Sequence, residues 1–133
     1  QNEKVPDPVK RERRREVVLK GLDAKIFKTA IQMWVDILND LERFLTHSEW
    51  LAGDRYSIAD AAYTPYIIRL EHLSSLGLLK GKPALINWYG KIKKRANYQE
   101  AIVKWNDKTY ISLMHEKGTE AWPRIEEMIN EYN

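Results

Sequence analysis

The chain has 133 residues, a net charge of +3 and no cysteine. This length fits one domain with a sizeable core, and the lack of cysteine excludes disulfides, cysteine-ligated zinc and a cysteine nucleophile. No run without a charged residue exceeds eight residues, which excludes a membrane-spanning helix, and no secretory signal is recognisable, so we expect a cytoplasmic protein.

The positive charge is concentrated near the beginning of the chain. Residues 1–25 hold eight Lys and Arg against five Asp and Glu, whereas the rest of the chain holds 14 of each. Residues 1–9 contain two prolines and predict an extended lead-in, and residues 11–20 predict a short polar helix that ends near Gly21. Because no nucleic-acid motif accompanies this helix, a solvated basic surface is favoured over a phosphate-binding arm, and nucleic acid is not expected as a partner.

A long amphipathic helix is predicted next. Asp23 is a reasonable N-cap for it. The apolar residues that follow have the spacing of one buried helix face, namely Phe27, Ala30, Ile31, Trp34, Ile37, Leu38, Leu41, Phe44 and Leu45. We expect this helix to end around residues 46–48, before Gly53.

A capping box begins the following helix. The hydroxyl of Ser57 can accept a backbone N–H of the first turn, and the carboxylate of Asp60 can reach back to the N–H of Ser57. The next eight residues carry no charge, which is typical of a helix in the middle of a core. Pro65 lies inside this helix and is expected to kink it.

Two further helical regions are predicted downstream. Pro83 can begin a helix whose last turn is basic, and Asn97 can begin a short helix that reaches Trp105. Residues 106–117 have a less regular pattern. The last helix is predicted to begin between residues 119 and 123 and to continue to the end of the chain.

Three segments of the sequence resemble parts of one protein family. Residues 50–73, WLAGDRYSIADAAYTPYIIRLEHL, closely resemble the signature of the glutathione transferase C-terminal domain, in which a Leu-Ala-Gly-Asp turn leads into a capped, buried helix. Residues 86–105 resemble the next helix pair of the family. Residues 118–129 resemble the closing helix of bacterial members, including the β-etherase-like branch. The resemblance covers roughly residues 24–130.

The resemblance implies an all-α, right-handed bundle of about five helices, with residues 57–75 as its buried, N-capped centre. It divides the chain into a lead-in and basic segment, residues 1–22, and a helical domain, residues 23–133. Family members also carry a thioredoxin-like N-terminal domain that binds glutathione and activates its thiol, and nothing similar is present here. Because the chain also starts at Gln1 without a methionine, we expect a fragment, a processed form or part of something longer.

We expect a second part of the family domain to be missing as well. The domain usually opens with a long amphipathic helix that lines the electrophile pocket and part of the dimer contact. Residues 5–22 are too short and too polar to be that helix. We therefore expect part of the electrophile pocket to be absent from this chain.

The function implied by the resemblance is that of the electrophile-site and dimerisation domain of a glutathione transferase-like protein. The parent would conjugate glutathione, its co-substrate, to a small apolar electrophile, and this chain alone is not expected to catalyse the reaction. The expected partners are the thioredoxin-like domain and, because family members dimerise, a second copy of the chain. The alternative is a non-catalytic protein–protein interaction module, since similar domains serve as assembly surfaces in translation complexes.

No catalytic, cofactor-binding or metal-ligating residue is assigned. Ser57 and Asp60 have a capping role, because no histidine accompanies them in a triad-like pattern, and the matching aspartate of the family is a folding determinant. The C-terminal tail of the family folds towards the active-site cleft, which implies that Trp105, Tyr110 and Trp122 line the substrate pocket. Docking of the tail onto the core is the alternative.

Other aromatic residues and the histidines are expected to have structural roles. Trp34, Tyr66 and Trp88 occupy core positions of their helices and are expected to pack in the interior. The three histidines lie on different segments without metal-ligand spacing, which favours surface or supporting roles.

Overall fold

The computed structural model describes residues 7–132, which contain α-helices, short 3-10 turns and no β-strand. The helices are α1 (Pro8–Lys20), α2 (Lys25–Leu45), α3 (Ile58–His72), α4 (Pro83–Lys94), α5 (Tyr98–Ala101) and α6 (Lys108–Tyr132). The 3-10 turns are Gly21–Asp23, Leu76–Leu79 and Val103–Trp105. The predicted all-α fold is confirmed. Over this part of the chain, no helix is long and apolar enough to cross a bilayer.

α2 forms the centre of the hydrophobic core. Its inner face carries nearly inaccessible residues at helical spacing, namely Ile31, Val35, Leu38, Leu41 and Leu45. This face packs against α4 and α6, where Trp88 and Met128 are almost fully buried. The interior position predicted for Trp88 is therefore confirmed. Since each buried aliphatic side chain stabilises the fold by about 1.5–3 kcal/mol, α2 holds the surrounding elements in place.

α3 buries one side and leaves the other side open. Thr64, Ile67 and Ile68 face the core, and Pro65 lies inside the helix as predicted. The opposite side exposes 58% of Tyr66, so the interior position predicted for this residue is wrong. An uncharged helical run is fully buried only if protein surrounds it, and residues 7–132 cover less than half of the Tyr66 side chain.

α1 begins earlier than predicted. Pro8 is its first residue, and the carboxylate of Asp7 accepts the backbone N–H groups of Val9 (2.9 Å) and Lys10 (3.4 Å). The expected extended lead-in over residues 1–9 is thus wrong at residues 8 and 9, because a proline fits the first turn of a helix. Residues 1–6 lie outside the described part of the chain. The division at residue 22 between a lead-in and a helical domain stays a prediction.

Asp23 does not cap α2. The N-cap position belongs to Ala24, which offers no side-chain acceptor, and Asp23 lies in the preceding 3-10 turn. Its carboxylate instead pairs with Arg124 of α6 at 3.0 Å. Glu16 of α1 accepts the backbone N–H of Lys25 at 3.1 Å. A backbone N–H in the first turn of α2 therefore finds its hydrogen-bond acceptor on a neighbouring helix. The sequence around residue 25 does not indicate this contact.

α6 begins eleven residues before the earliest predicted position, at Lys108. The missed signal is Asp107, whose carboxylate accepts the N–H groups of Thr109 (2.8 Å) and Tyr110 (3.2 Å) in the first turn. Pro123 lies inside the helix instead of near its start. The prediction that residues 106–117 are less regular, with a helix only from 119–123, is therefore wrong. Tertiary packing outweighs the cost of an internal proline here.

α4 begins at Pro83 and ends in a basic turn, as predicted. No side chain at its N-cap position accepts a hydrogen bond. Glu42 of α2 takes this role across the interface, because its two carboxylate oxygens accept the backbone N–H groups of Ala84 (3.1 Å) and Leu85 (2.8 Å). A carboxylate at this end also interacts favourably with the helix dipole.

Replacing Glu42 by alanine is expected to reduce the free energy of unfolding by about 1–2 kcal/mol, the usual cost of losing a helix cap. Urea unfolding followed by far-UV circular dichroism measures the change. Asp40→Ala on the same helix is the control, because its exposed pair with Arg43 (2.9 Å) contributes at most about 1 kcal/mol. Equal losses in the two variants would contradict the capping role.

Candidate functional site

An apolar groove runs between α2 and α3 on the open side of α3. Its volume is about 560 Å³, and seven residues line it: Ala30, Met33, Trp34, Ile37, Ala62, Tyr63 and Tyr66. None of these residues is charged. The rings of Trp34 and Tyr66 meet edge to face, with centroids 6.2 Å apart. A concave, largely apolar surface of this size is the usual form of a small-molecule site.

The groove exists because α2 carries two apolar stripes. One stripe faces the core, and the second, from Ala30 to Ile37, follows the i, i+3, i+4, i+7 spacing and faces the groove. α3 contributes a matching face one turn long, with Tyr63 and Tyr66 at i and i+3. The sequence pattern did not separate the two stripes of α2, so Met33 was missed as a candidate. Tyr63 of α3 was missed because its uncharged run was predicted to lie in the middle of the core.

The groove offers hydrogen-bonding groups at a few points only. The phenol groups of Tyr63 and Tyr66 can donate or accept, and the indole of Trp34 can only donate. The aromatic faces suit offset or edge-to-face contacts with another ring. This arrangement can orient a planar, weakly polar ligand, and the lining contains no charged residue that could activate the tyrosine hydroxyls as nucleophiles.

A more polar cleft continues from the groove towards α1. It shares Ala30 and Met33 with the groove and has a volume of about 470 Å³. Its lining adds Arg13, Glu16 and Lys25. The apolar groove is thus open to a charged region at one end.

The three aromatic residues predicted for a substrate pocket lie apart from this groove. Trp105 is 77% exposed and donates its indole N–H to the carbonyl of Glu100 at 3.0 Å. Tyr110 is 68% exposed in the first turn of α6. Trp122 is half-buried and lines a separate cavity of about 160 Å³ beside Gly77. Their role as pocket walls stays a prediction.

Ser57 and Asp60 lie at the N-terminus of α3 in a capping arrangement. The Ser57 hydroxyl accepts the N–H of Ala59 at 3.2 Å, and the Asp60 carboxylate accepts the N–H of Ser57 at 2.9 Å. Asp60 also accepts the N–H of Leu51 at 3.0 Å and the indole N–H of Trp88 at 2.8 Å. This one side chain therefore joins the 50–53 turn, the start of α3 and α4.

The environment of Asp60 keeps its carboxyl ionised. The side chain is completely buried. Burial raises the pKa of Asp60, but hydrogen bonds from Leu51, Trp88 and Ser57 outweigh this effect and hold the pKa below its usual value. The preceding turn needs Gly53, whose φ of +127° is rarely open to other residues. The contacts of Asp60 are therefore those of a residue with a structural role.

The three histidines lie on different parts of the fold. His47 follows the end of α2, and His72 ends α3. His115 of α6 has its Nδ1 2.6 Å from the hydroxyl oxygen of Ser74. Among residues 7–132 no group of three or more His, Cys, Asp or Glu side chains is arranged to hold a metal ion.

Comparison with known proteins identifies the family. Residues 11–91, more than half of the chain, match the family model described as the C-terminal domain of glutathione S-transferase. The chain belongs to this family. The match begins inside α1 and ends inside α4, so it includes both helices of the groove.

Relatives of this glutathione S-transferase domain include proteins of Arabidopsis thaliana and of Sphingobium species. Glutathione S-transferase F10 of Arabidopsis thaliana is 31% identical over 85 residues, which are 63% of this chain and 40% of the relative. The tetrachloro-p-hydroquinone reductive dehalogenase of Sphingobium chlorophenolicum is 32% identical over 81 residues, 59% of this chain and 33% of that enzyme.

A third relative has a similar name. The 2,5-dichlorohydroquinone reductive dechlorinase of Sphingobium indicum is 31% identical over 83 residues, 59% of this chain and 24% of that enzyme. The chain spans two fifths or less of the length of these three relatives. No solved structure matches the chain.

Proposed function

We propose that this chain is the electrophile-binding domain of a glutathione-dependent transferase, and that the α2–α3 groove holds the aromatic part of the electrophile. The observation that carries the proposal is the uncharged lining of the groove, which includes three aromatic rings in about 560 Å³. Such a surface favours apolar, planar ligands because it buries their surface and stacks against their rings.

The parent protein would supply the remaining chemistry. The chain has no cysteine, and in this proposal the attacking thiol is that of glutathione, held and activated by a thioredoxin-like domain of the parent. The thiolate sulfur forms a bond to an electrophilic carbon, and the leaving group departs with the bonding electrons. The present domain would hold that carbon near the sulfur, which lowers the entropic cost of the reaction. The parent would act as a cytoplasmic homodimer.

The names of two relatives support an aromatic electrophile. Both are described as enzymes that act on chlorinated hydroquinones, and the groove presents two phenol groups that can hydrogen-bond to a ring hydroxyl. The resemblance of residues 118–129 to β-etherase-like members supports a bacterial branch for the chain.

Binding of 2,5-dichlorohydroquinone, kept reduced under argon, tests the proposal on this chain. Tyr66→Ala is expected to weaken binding by about three- to tenfold, because it removes one aromatic contact of about 0.5–1.5 kcal/mol from an exposed position that does not support the core. Backbone amide shifts in NMR titrations give both the dissociation constant and the location of the ligand.

Tyr110→Ala is the matched control, since Tyr110 is similarly exposed and lies outside the groove. Loss of binding in this variant alone would move the electrophile to the aromatic residues of the C-terminal region. The absence of binding to the unmodified chain would favour the interaction-module alternative.

A further inference from the structure

A second cavity lies on the other side of the domain, between α4 and the 3-10 turn Leu76–Leu79. Its volume is about 430 Å³, and its lining residues are Leu76, Leu79, Lys80, Ile86, Tyr89, Gly90 and Lys93. It shares no lining residue with the α2–α3 groove. The lining contains two lysines and no acidic residue.

The two lysines differ in their partners. Lys93 is engaged, because its ammonium lies 2.8 Å from Glu71 and 4.7 Å from the centre of the Tyr89 ring. The Tyr89 hydroxyl also donates to Glu71. Burial raises the pKa of Glu71, but the bonds from Lys93 and Tyr89 outweigh this effect and keep the pKa below its usual value, so Glu71 remains the counter-ion of Lys93.

Lys80 has no such counter-ion. It is exposed, and its ammonium makes no ion pair with any residue between 7 and 132. The free positive charge of the cavity is therefore that of Lys80. Leu76, Leu79 and Ile86 provide the apolar surface beside it.

We propose that this cavity binds a small carboxylic acid with an apolar body. The carboxylate contacts the ammonium of Lys80, and the body lies on Leu76, Leu79 and Ile86. The volume falls in the range of small-molecule sites. An apolar surface with one unpaired cation is complementary to an amphipathic anion in both shape and charge.

Gly90 explains why the space is open. The lining residues of α4 repeat at i, i+3, i+4 and i+7 from Ile86 and so form one face of the helix. At Gly90 this face has no side chain, and a Cβ placed there would meet no atom within 4 Å. A larger side chain can therefore fill the cavity from an unstrained helical position.

NMR titration of the chain with 2-naphthoate tests the proposal. The amides of residues 76–80 and 86–93 are expected to shift. The neutral analogue 2-naphthylmethanol and the Lys80→Gln variant with 2-naphthoate should each show binding about three- to fivefold weaker, the effect of losing one exposed ion pair of up to about 1 kcal/mol. Gly90→Phe is expected to weaken binding at least about tenfold by occupying the space.

Two variants serve as controls. Gly90→Ala should keep most of the affinity, and Lys82→Gln should leave it unchanged, because Lys82 lines only the neighbouring cavity beside Trp122, whereas Lys80 lines both cavities. Equal affinity for the neutral analogue would overturn the proposal, as would shifts confined to α2 and α3. Tyr66→Ala tests the α2–α3 groove separately, so failure of one site does not decide the other.

Discussion

Replacing Asp60 by asparagine is expected to lower the free energy of unfolding by about 3–5 kcal/mol. The carboxylate is fully buried and accepts hydrogen bonds from Leu51, Ser57 and Trp88. Asparagine has one acceptor oxygen, and its NH₂ group replaces the second oxygen of Asp60. This NH₂ group would face N–H groups that also donate, so at least one buried N–H loses its acceptor. Urea unfolding followed by tryptophan fluorescence measures the loss. This is a large fraction of the stability of a small domain.

The pH dependence gives an independent check on Asp60. Its folded-state pKa is lowered, so its contribution is complete above the unfolded-state pKa of about 3.9 and is lost as the pH falls through the folded-state pKa. The difference in stability between the unmodified chain and Asp60→Asn should therefore shrink below about pH 4. Asp54→Asn, an exposed change in the preceding turn, is expected to change stability by less than about 0.5 kcal/mol. A constant difference from pH 7 to pH 3 would show that Asp60 is not the ionised acceptor.

Gly118→Ala is expected to destabilise the domain by about 2–3 kcal/mol. Helix propensity alone predicts the opposite sign, since alanine is favoured over glycine inside a helix by about 1 kcal/mol. At Gly118, however, an added Cβ would lie 1.8 Å from the carbonyl oxygen of Leu73. The clash involves backbone atoms, so α6 must move away from the end of α3 to relieve it.

Gly90→Ala is the matched control for this prediction. It is the same substitution inside a helix, but the added Cβ meets no atom within 4 Å. It should therefore raise the free energy of unfolding by about 0.5–1 kcal/mol. If thermal unfolding shows that both variants are stabilised, the close approach of α6 to Leu73 is incorrect.

The fold was largely predictable because its signals are local. The apolar spacing of α2, the capping pattern at Ser57 and the proline at the start of α4 are each contained within a few residues. The starts of α1 and α6 were missed although local caps at Asp7 and Asp107 mark them, and other wrong predictions concern interactions between distant residues. The first turn of α2 depends on Glu16 and not on Asp23, and α6 packs against both α2 and α3.

The candidate site was harder to predict from the sequence. The apolar residues of α2 fall on a broad face, and only packing separates those that face Trp88 from those that face Tyr66. Because of the family resemblance, the substrate pocket was predicted at the aromatic residues near the C-terminus. Their positions depend on where α6 begins, and that start depended on the cap by Asp107.

The contact of Glu42 with the first turn of α4 has a consequence for how the domain folds. Helix nucleation is the costly step of helix formation, and the start of α4 is completed only by a side chain 42 residues earlier in the chain. We therefore expect α4 to be poorly defined in isolation and to become stable when α2 docks beside it. Local and long-range structure then form together, which makes the two helices one cooperative unit.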